Sequence, residues 1–314
     1  MVSKHRLVAI VLAPALAFAH AAQASPQPVT APAKAAAATP VPPTTPVNAA
    51  SVKADPMKAV AVKSATTASL DTVLAGAWRD PKNVVRDKYR HPNETLTFFG
   101  VQSDQTLIEI TPGGGWYAEI LAPLLNDHGN YIAALSKPSR PDGEAAQDKS
   151  ALAKKFVADA AHYGHAKTVA FDAKTPSFGA PGSADTVLTF RNVHNWVMAG
   201  TQATMFKAFF DVLKPGGVLG VTDHRANPGP ATDGKQGYLT EKQVIDYATA
   251  AGFMLDAKSE INANPKDTRD YPHGVWTLPP TLSQGNHGSG TYLAIGESDR
   301  MTLRFVKPKV ETKK

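Results

Sequence analysis

The chain has 314 residues with 25 prolines and no cysteine, and its formal net charge is +6 at pH 7. The lack of cysteine excludes disulfides, thiolate metal sites and cysteine nucleophiles. The basic residues are scattered rather than grouped in runs, which argues against a nucleic-acid partner.

The amino terminus has the pattern of a secretory signal peptide. Lys4 and Arg6 precede an apolar run at residues 7–18, and small residues follow as far as Ala24. The run is too short to span a bilayer, and no cysteine follows it that would carry a lipid. We therefore expect cleavage after Ala24, a periplasmic or secreted location, and no membrane span once the signal is removed. An uncleaved anchor is the alternative.

Residues 25–69 form the next region, which consists almost wholly of Ala, Pro, Thr, Val and Lys. Eight prolines lie between Pro26 and Pro56, and the region holds no aromatic residue. Such a composition buries too little apolar surface to offset the entropy of ordering the chain, so it predicts a disordered linker. Residues 70–314 remain, and this length is sufficient for one large α/β domain.

This domain shows a regular alternation of predicted strands and helices. Three short helices are predicted between Leu70 and Gly100. The predicted strands then follow at Thr106–Ile110, Asn130–Leu135, Thr168–Phe171, Thr186–Phe190, Gly217–Asp223, Phe253–Ile261 and Met301–Val306. The predicted helices between them are Trp116–Leu125, Ala145–Ala161, Thr201–Leu213 and Glu241–Ala251. This order predicts an α/β fold with a mainly parallel sheet and helices on both faces. Residues 262–300 are predicted to form either a lid near the site or a surface excursion.

The first strand leads into a glycine-rich turn. Thr106–Ile110 contains Glu109, and Gly113, Gly114 and Gly115 connect it to the next helix. Glycines allow a ligand to approach the backbone, and the free N–H groups at a helix start attract polar ligand atoms. The unit therefore predicts a nucleotide pocket at the carboxyl end of the strand.

This turn and three later segments resemble class I S-adenosylmethionine-dependent methyltransferases. Glu109–Gly115 matches their acid-x-Gly-x-Gly-x-Gly motif, except that Thr111 replaces the first glycine. Leu213–Leu219, Glu241–Phe253 and Met301–Pro308 are similar to the family's turn before its fifth strand, its last helix and its final antiparallel strand. The resemblance implies a Rossmann-like methyltransferase fold with seven strands, an antiparallel last strand, and S-adenosylmethionine as cofactor.

Three segments resemble, more narrowly, a group of exported bacterial proteins usually described as predicted methyltransferases. These segments are Arg86–Pro92, Pro112–Tyr117 and Thr222–Gly229. The resemblance implies methyl transfer from S-adenosylmethionine to an unidentified small-molecule acceptor. The alternative is a non-catalytic exported binding module that retains the fold. A third and more distant alternative is a nicotinamide-dependent oxidoreductase, because Gly113-x-Gly115-x-x-Ala118 also fits a dinucleotide-binding pattern.

The predicted cofactor contacts are Glu109, Thr111, Gly113, Gly115, Tyr117, Asp172 and Arg191. Tyr117 is included because it directly follows the glycines, and buried packing is its alternative role. Asp172 lies where the family often places an acid against the adenine amino group. One departure weakens this assignment, because Ala134–Lys137 ends the second strand without the acid that usually holds the ribose hydroxyls. Ser136 would replace that acid only in part, and the same gap counts against NAD.

Residues after the fourth and fifth strands carry the predicted chemistry. His194 is the candidate base that deprotonates the acceptor, Asn192 a positioning hydrogen-bond partner, and Trp196 an apolar or cation-stabilising wall. Alternatively, His194 caps a following helix and Trp196 packs in the core. Asp223 and His224 are expected at the same rim, where they orient substrate or, with His194, bind a metal. No His/carboxylate spacing on one helix supports the metal, and none is predicted.

The amino-terminal helices add a further group of candidates. Arg90 and His91 are expected to contact substrate by closing over the pocket, together with Arg86 and Asp87. A solvated, charged helix face explains the same residues equally well.

Overall fold

The structure, a computed structural model, describes residues 65–137 and 144–309. The predicted signal peptide, and the predicted linker as far as residue 64, lie outside the described residues. Helix α1 is Ala65–Leu74, so it begins inside the region predicted to be linker. Within the described ranges, no helix has both the length and the apolar character needed to cross a membrane.

A seven-stranded sheet forms the centre of the domain. Its strands are β1 Thr106–Ile110, β2 Asn130–Ser136, β3 Lys167–Phe171, β4 Ala184–Phe190, β5 Leu213–His224, β6 Met254–Ser259 and β7 Arg300–Val306. They lie in the order β3-β2-β1-β4-β5-β7-β6. The pairs from β3 to β5 are parallel, and β7 runs antiparallel to both β5 and β6. This confirms the predicted fold class, a Rossmann-like methyltransferase fold with an antiparallel last strand.

Helices cover both faces of this sheet. Those that follow α1 are α2 Pro81–Val84, α3 Asp87–Arg90, α4 Pro92–Phe99, α5 Ala118–Leu124, α6 Glu144–Ala158, α7 Ala160–Tyr163, α8 Val193–Ala199, α9 Gln202–Val212, α10 Glu241–Ala250 and α11 Ser289–Ile295. A short 3₁₀ helix occupies Gly274–Thr277. Helices α8 and α11 have no counterpart among the predicted helices.

The second predicted short helix is divided into α2 and α3. Arg79 donates two hydrogen bonds, of 2.7 and 2.8 Å, to the carboxylate of Asp87 and so anchors the first residue of α3. His91, with φ +42°, then ends α3 in the left-handed conformation, and Pro92 begins α4. Contacts at both ends of α3 thus limit this helix to four residues.

Side chains alternate along β1 between two buried layers. Leu107 packs in the layer formed with α1, α4 and α5, whereas Ile108 and Ile110 pack in the layer formed with α9 and α10. Because successive strand residues point to opposite faces, Glu109 lies on the same face as Leu107. A carboxyl group is thus placed inside the layer that the amino-terminal helices cover.

Candidate functional site

A cavity of about 830 Å³ lies at the carboxyl ends of β1 and β4. The sheet order reverses here, since the chain proceeds from β1 outward to β3 and returns to β4 on the other side of β1. Ligands of open parallel sheets bind at such a reversal. The volume lies within the range of roughly 300–1,000 Å³ that is common for small-molecule sites.

The glycine-rich turn forms one wall of this cavity. Thr111, with φ +49°, and Gly113, with φ +58°, both line it in left-handed conformations. Thr111 N–H donates to the Ala134 carbonyl at 2.8 Å, which ties the turn to the end of β2. Gly115 serves a different purpose, because a Cβ there would come within 2.7 Å of Leu152 Cδ1 on α6. The turn thus presents Gly113 to a ligand and uses Gly115 for helix packing.

Glu109 is buried at the base of the cavity, with 2% of its surface exposed. The Tyr131 hydroxyl donates to Glu109 Oε2 at 2.6 Å. Burial raises the pKa of Glu109 to about 7, although the bond from Tyr131 and the charge of Arg90 each lower it. This carboxyl group therefore changes protonation near neutral pH.

His194 and Asp223 form a buried dyad beside the turn. His194 Nδ1 lies 3.0 Å from Asp223 Oδ1, and no other described residue bonds its Nε2. Asp223 also accepts from the backbone N–H groups of Val193 at 2.7 Å, of His194 at 3.4 Å and of His224 at 2.8 Å. Asp223 thereby fixes the His194 ring and caps the start of α8 from a neighbouring strand. Since His194 lines the cavity, its Nε2 is available to a ligand.

Asn192 precedes α8 and also lines the cavity. Its Nδ2 donates to the Ile110 carbonyl at 2.9 Å and to Thr189 Oγ1 at 3.1 Å. Both amide hydrogens are used in this way, which leaves Oδ1 as an acceptor for a ligand.

Arginines from three parts of the chain surround one buried carboxylate, Glu297. Arg86 Nε donates to its Oε1 at 2.7 Å, while Arg90 Nε and Arg300 Nη1 donate to Oε2 at 3.2 Å each. Burial by itself raises the pKa of Glu297, but the charges of Arg90, Arg300, Arg86 and Arg191 lower it to about 2. Burial lowers the pKa of Arg90 to about 9, assisted by repulsion from Arg191. The cluster is strongly positive, and Arg86, Arg90 and Arg191 line the cavity.

Aromatic side chains form much of the remaining wall. Tyr117 stacks on Phe190 with ring centroids 3.6 Å apart, and Arg90 lies over the Trp116 ring at 4.6 Å. Trp276 lies 6.0 Å from the His194 ring and comes from residues 262–300. Val275 and Pro279–Thr281 also line the cavity, so this segment forms part of the site. These groups offer apolar surface next to charged ones.

Residues 262–300 are held in place by an ion-pair network. Asp299 accepts from Arg225 at 2.8 Å and from Arg269, and Arg225 also pairs with Glu241 and Glu260. Burial raises the pKa of Asp299, but the bonds from Arg225 and Arg269 outweigh it and lower the pKa overall. The segment is therefore fastened beside the cavity at its carboxyl end.

The structure brings most of the predicted site residues to one cavity. The predicted residues that line it are Glu109, Thr111, Gly113, Tyr117, Arg191, Asn192, His194, Trp196, His224 and Arg90. Four others lie outside the lining, namely Gly115, Asp172, Asp223 and His91. Asp172 is exposed and accepts from Lys174 N–H at 2.9 Å, while its neighbours Phe171 and Ala173 line the cavity. Asp223 lies behind His194 rather than beside a ligand, and His91 forms the junction of α3 and α4.

A cluster of three residues bears on whether the site holds a metal ion. Among the described residues, the ligand atoms of His194, Asp223 and His224 lie within 4.8 Å of one another, a spacing that a metal ion would tolerate. However, both Asp223 oxygens are already hydrogen-bonded, and His224 Nδ1 lies 2.5 Å from Ser298 Oγ. Burial lowers the pKa of His224 well below its ordinary range, and the positive charge of Arg191 acts in the same direction. The donor set fits a hydrogen-bonded dyad better than a metal centre.

Known proteins resemble this chain in structure but not in sequence. No protein-family model matches the chain, and no curated protein matches it significantly in sequence. The solved structure of the [4+2]-cyclase SpnF is similar with a TM-score of 0.53 and 15% identity, over 78% of this chain and 93% of that one. The structure of a SAM-dependent methyltransferase from Aquifex aeolicus is similar with a TM-score of 0.47 and 14% identity, over 77% of this chain and 98% of that one. The structure of a protein described as a putative sarcosine dimethylglycine methyltransferase from Galdieria sulphuraria is similar with a TM-score of 0.49 and 12% identity, over 73% of this chain and 88% of that one.

Proposed function

We propose that this protein transfers a methyl group from S-adenosylmethionine to a small-molecule acceptor, with His194 as the general base. The observation that carries the proposal is the placement of His194 Nε2 on the same cavity as the glycine-rich turn. The turn carries the motif resemblance to class I methyltransferases, and His194 supplies the proton acceptor that a weakly acidic nucleophile requires.

The described residues offer contacts for the ribose and for the charged groups of the donor's amino-acid part. The backbone around Gly113 provides close approach for the nucleoside, and Ser136 lines the cavity at the end of β2, where a ribose hydroxyl would be held. Glu109 and Asn192 Oδ1 are acceptors suited to an ammonium group. Arginine side chains are suited to a carboxylate.

When bound, S-adenosylmethionine would supply the methyl group of its sulfonium; the acceptor's bond to that carbon would form as the carbon–sulfur bond breaks, with the thioether S-adenosylhomocysteine as the leaving group. His194 Nε2 accepts the proton that the acceptor loses and later releases it to solvent. Asp223 holds Nδ1 protonated and stabilises the imidazolium while the proton is on Nε2. The aromatic side chains Trp276 and Tyr117 exclude water from the reacting atoms.

A non-catalytic binding module is the second candidate. It is favoured by Ser136, because a serine holds ribose hydroxyls less strongly than the usual carboxylate. The [4+2]-cyclase with the same fold also indicates that this architecture is compatible with other chemistry.

We also propose that the protein belongs to the exported bacterial group that its segments resemble, and that it acts in the periplasm or outside the cell. A carboxyl-terminal fusion to alkaline phosphatase, which is active only after export, tests this. We expect activity from the full chain and none from a variant that lacks residues 1–24. Equal activity from both fusions, or none from either, would refute export through this segment.

Calorimetry of the full chain with S-adenosylhomocysteine tests the main proposal. We expect saturable binding, which Gly113→Val abolishes by filling the space that the ligand approaches. Gly182→Val is the matched control, because Gly182 has φ +67°, lies off the cavity lining, and has open space where a Cβ would stand, with nothing within 4 Å. It introduces the same backbone strain and should leave binding intact. If millimolar S-adenosylhomocysteine gives neither a heat of binding nor thermal stabilisation, the proposal that the protein is a methyltransferase is refuted.

A further inference from the structure

The most unusual feature of the cavity is its excess of positive charge. Arg86, Arg90, Arg191 and Arg300 interact electrostatically with Glu297, which is the one carboxylate that bonds to the group among the described residues. Four positive charges thus surround one carboxylate that hydrogen-bonds to them, and the further acidic groups within electrostatic reach are Glu109 near Arg90 and Asp223 near Arg191. Burying like charges together is costly unless an anion accompanies them in use.

Several hydrogen-bond donors of this group are unused. Arg86 Nη2 and Arg90 Nη2 are buried without a partner in the described part of the chain, and Arg90 is only 4% exposed. Arg191 lines the cavity, and its guanidinium makes no hydrogen bond to any described residue. The Arg191 side chain therefore keeps its donors for a ligand, and the enclosed, unpaired Nη2 atoms of Arg86 and Arg90 belong to side chains that line the same cavity. Guanidinium groups with free donors are suited to a carboxylate or a phosphate.

S-adenosylmethionine alone would not balance this charge. Its carboxylate contributes one negative charge, while its ammonium and sulfonium each contribute a positive one. If that carboxylate and Glu297 both lay among the four arginines, two positive charges would remain uncompensated. Among the described residues, Glu109 and Asp223 lie nearby but bond to none of the four arginines, so a second anion bound directly to the arginines would stabilise the filled site.

We infer that the acceptor is an organic anion, with a carboxylate or phosphate held by Arg86, Arg90 and Arg191 and an apolar body against Trp276. This inference rests on the proposed function. Arg191 adjoins Asn192 and is close enough to His224 to affect it electrostatically, so an anion bound there lies on the side of the cavity where His194 is placed. The acceptor's anionic group would fix its orientation toward the base.

The same arginines would also suit the carboxylate of the donor, and the two sources can be separated by experiment. Benzoate is the probe, and benzamide is its neutral counterpart of similar shape. Each probe is titrated calorimetrically into the full chain in three states: the protein alone, the protein with saturating S-adenosylhomocysteine, and the protein with saturating 5′-methylthioadenosine. The last ligand lacks the amino-acid carboxylate. We expect benzoate to bind in all three states, and at least about tenfold more tightly than benzamide, since each charge-assisted hydrogen bond contributes about that factor.

Two variants locate the site. Arg191→Gln should weaken benzoate binding by about ten- to a hundredfold and leave benzamide unchanged. Arg86→Gln should act in the same direction, with Arg90 and Arg300 still paired to Glu297. Arg304→Gln is the matched control, because Arg304 pairs with Asp256 and lies off the cavity lining.

Two results would overturn the inference. Equal affinity for benzoate and benzamide, or binding of neither, would show that the arginines form no anion site. Loss of benzoate binding with S-adenosylhomocysteine but not with 5′-methylthioadenosine would assign the arginines to the donor. If S-adenosylhomocysteine itself fails to bind, the proposed function fails, whereas the titration of benzoate alone still decides whether the anion site exists.

Discussion

Glu109 allows the electrostatics of the cavity to be tested without any ligand. Its pKa rises from an ordinary value of 4.5 to about 7 because burial disfavours the carboxylate. The folded state therefore binds the proton more tightly than the unfolded state does. Stability from this group is complete below about pH 4.5 and is lost as the pH rises through 7. At 1.36 kcal/mol for each tenfold difference in proton affinity, the loss is about 3 kcal/mol.

The perturbation is Glu109→Gln, which keeps the shape of the side chain and removes its titration. Urea unfolding of both proteins is measured between pH 4 and 8, and the free energies of unfolding are subtracted, so that the other titrating groups cancel. We expect wild type to lose about 3 kcal/mol relative to the variant between pH 4.5 and pH 8. Tyr131→Phe removes the bond that favours the carboxylate, so it should move the wild-type transition to higher pH. A difference that stays flat across this range would refute the buried, raised-pKa description of Glu109.

Three other predictions concern the dyad, the arginine cluster and the turn. In nitrogen NMR spectra, His194 of the wild type should carry its proton on Nδ1, and Asp223→Asn should change that tautomer while S-adenosylhomocysteine still binds; an unchanged tautomer would exclude the orienting role. Glu297, whose pKa falls from 4.5 to about 2, should stabilise the fold by about 3 kcal/mol above pH 4.5 and lose this as the pH falls toward 2. Urea unfolding of Glu297→Gln should lack that dependence, and a variant that retains it would contradict the assignment. Gly115→Ala, with φ +85° and Leu152 Cδ1 at 2.7 Å, should cost about 1–3 kcal/mol, whereas Gly114→Ala, with nothing within 4 Å, should change stability by less than about 0.5 kcal/mol. Thermal melts that rank these two variants in the opposite order would refute the packing role of Gly115.

The strands could be predicted from sequence because their signals are local. Apolar runs bounded by turn residues place β1 at Thr106–Ile110 in both the prediction and the structure, and the closing strand differs only at its first residue, Arg300. Helix α8 could not be predicted in this way. Asn192 stands at its N-cap but makes no capping bond with its side chain, and Asp223 from β5 caps the first N–H groups instead.

The site could be predicted only in part for the same reason. Local motifs identified the glycine turn and His194, which lie at the ends of β1 and β4. Glu297 was missed, because the segment around it carries no motif and its partner Arg90 is 207 residues away in the chain. Asp223 was assigned to substrate, but its carboxylate turns toward His194 and the start of α8, an orientation that only the packed structure reveals.

The central claim is that an S-adenosyl ligand occupies the cavity between the glycine turn and His194. Hydrogen–deuterium exchange of the full chain, with and without saturating S-adenosylhomocysteine, tests this most directly. We expect slower exchange in peptides that cover residues 109–117 and 190–196, and no change in the edge strand at residues 254–259. Unchanged exchange in both of the first two regions, or protection confined to other parts of the chain, would contradict the claim.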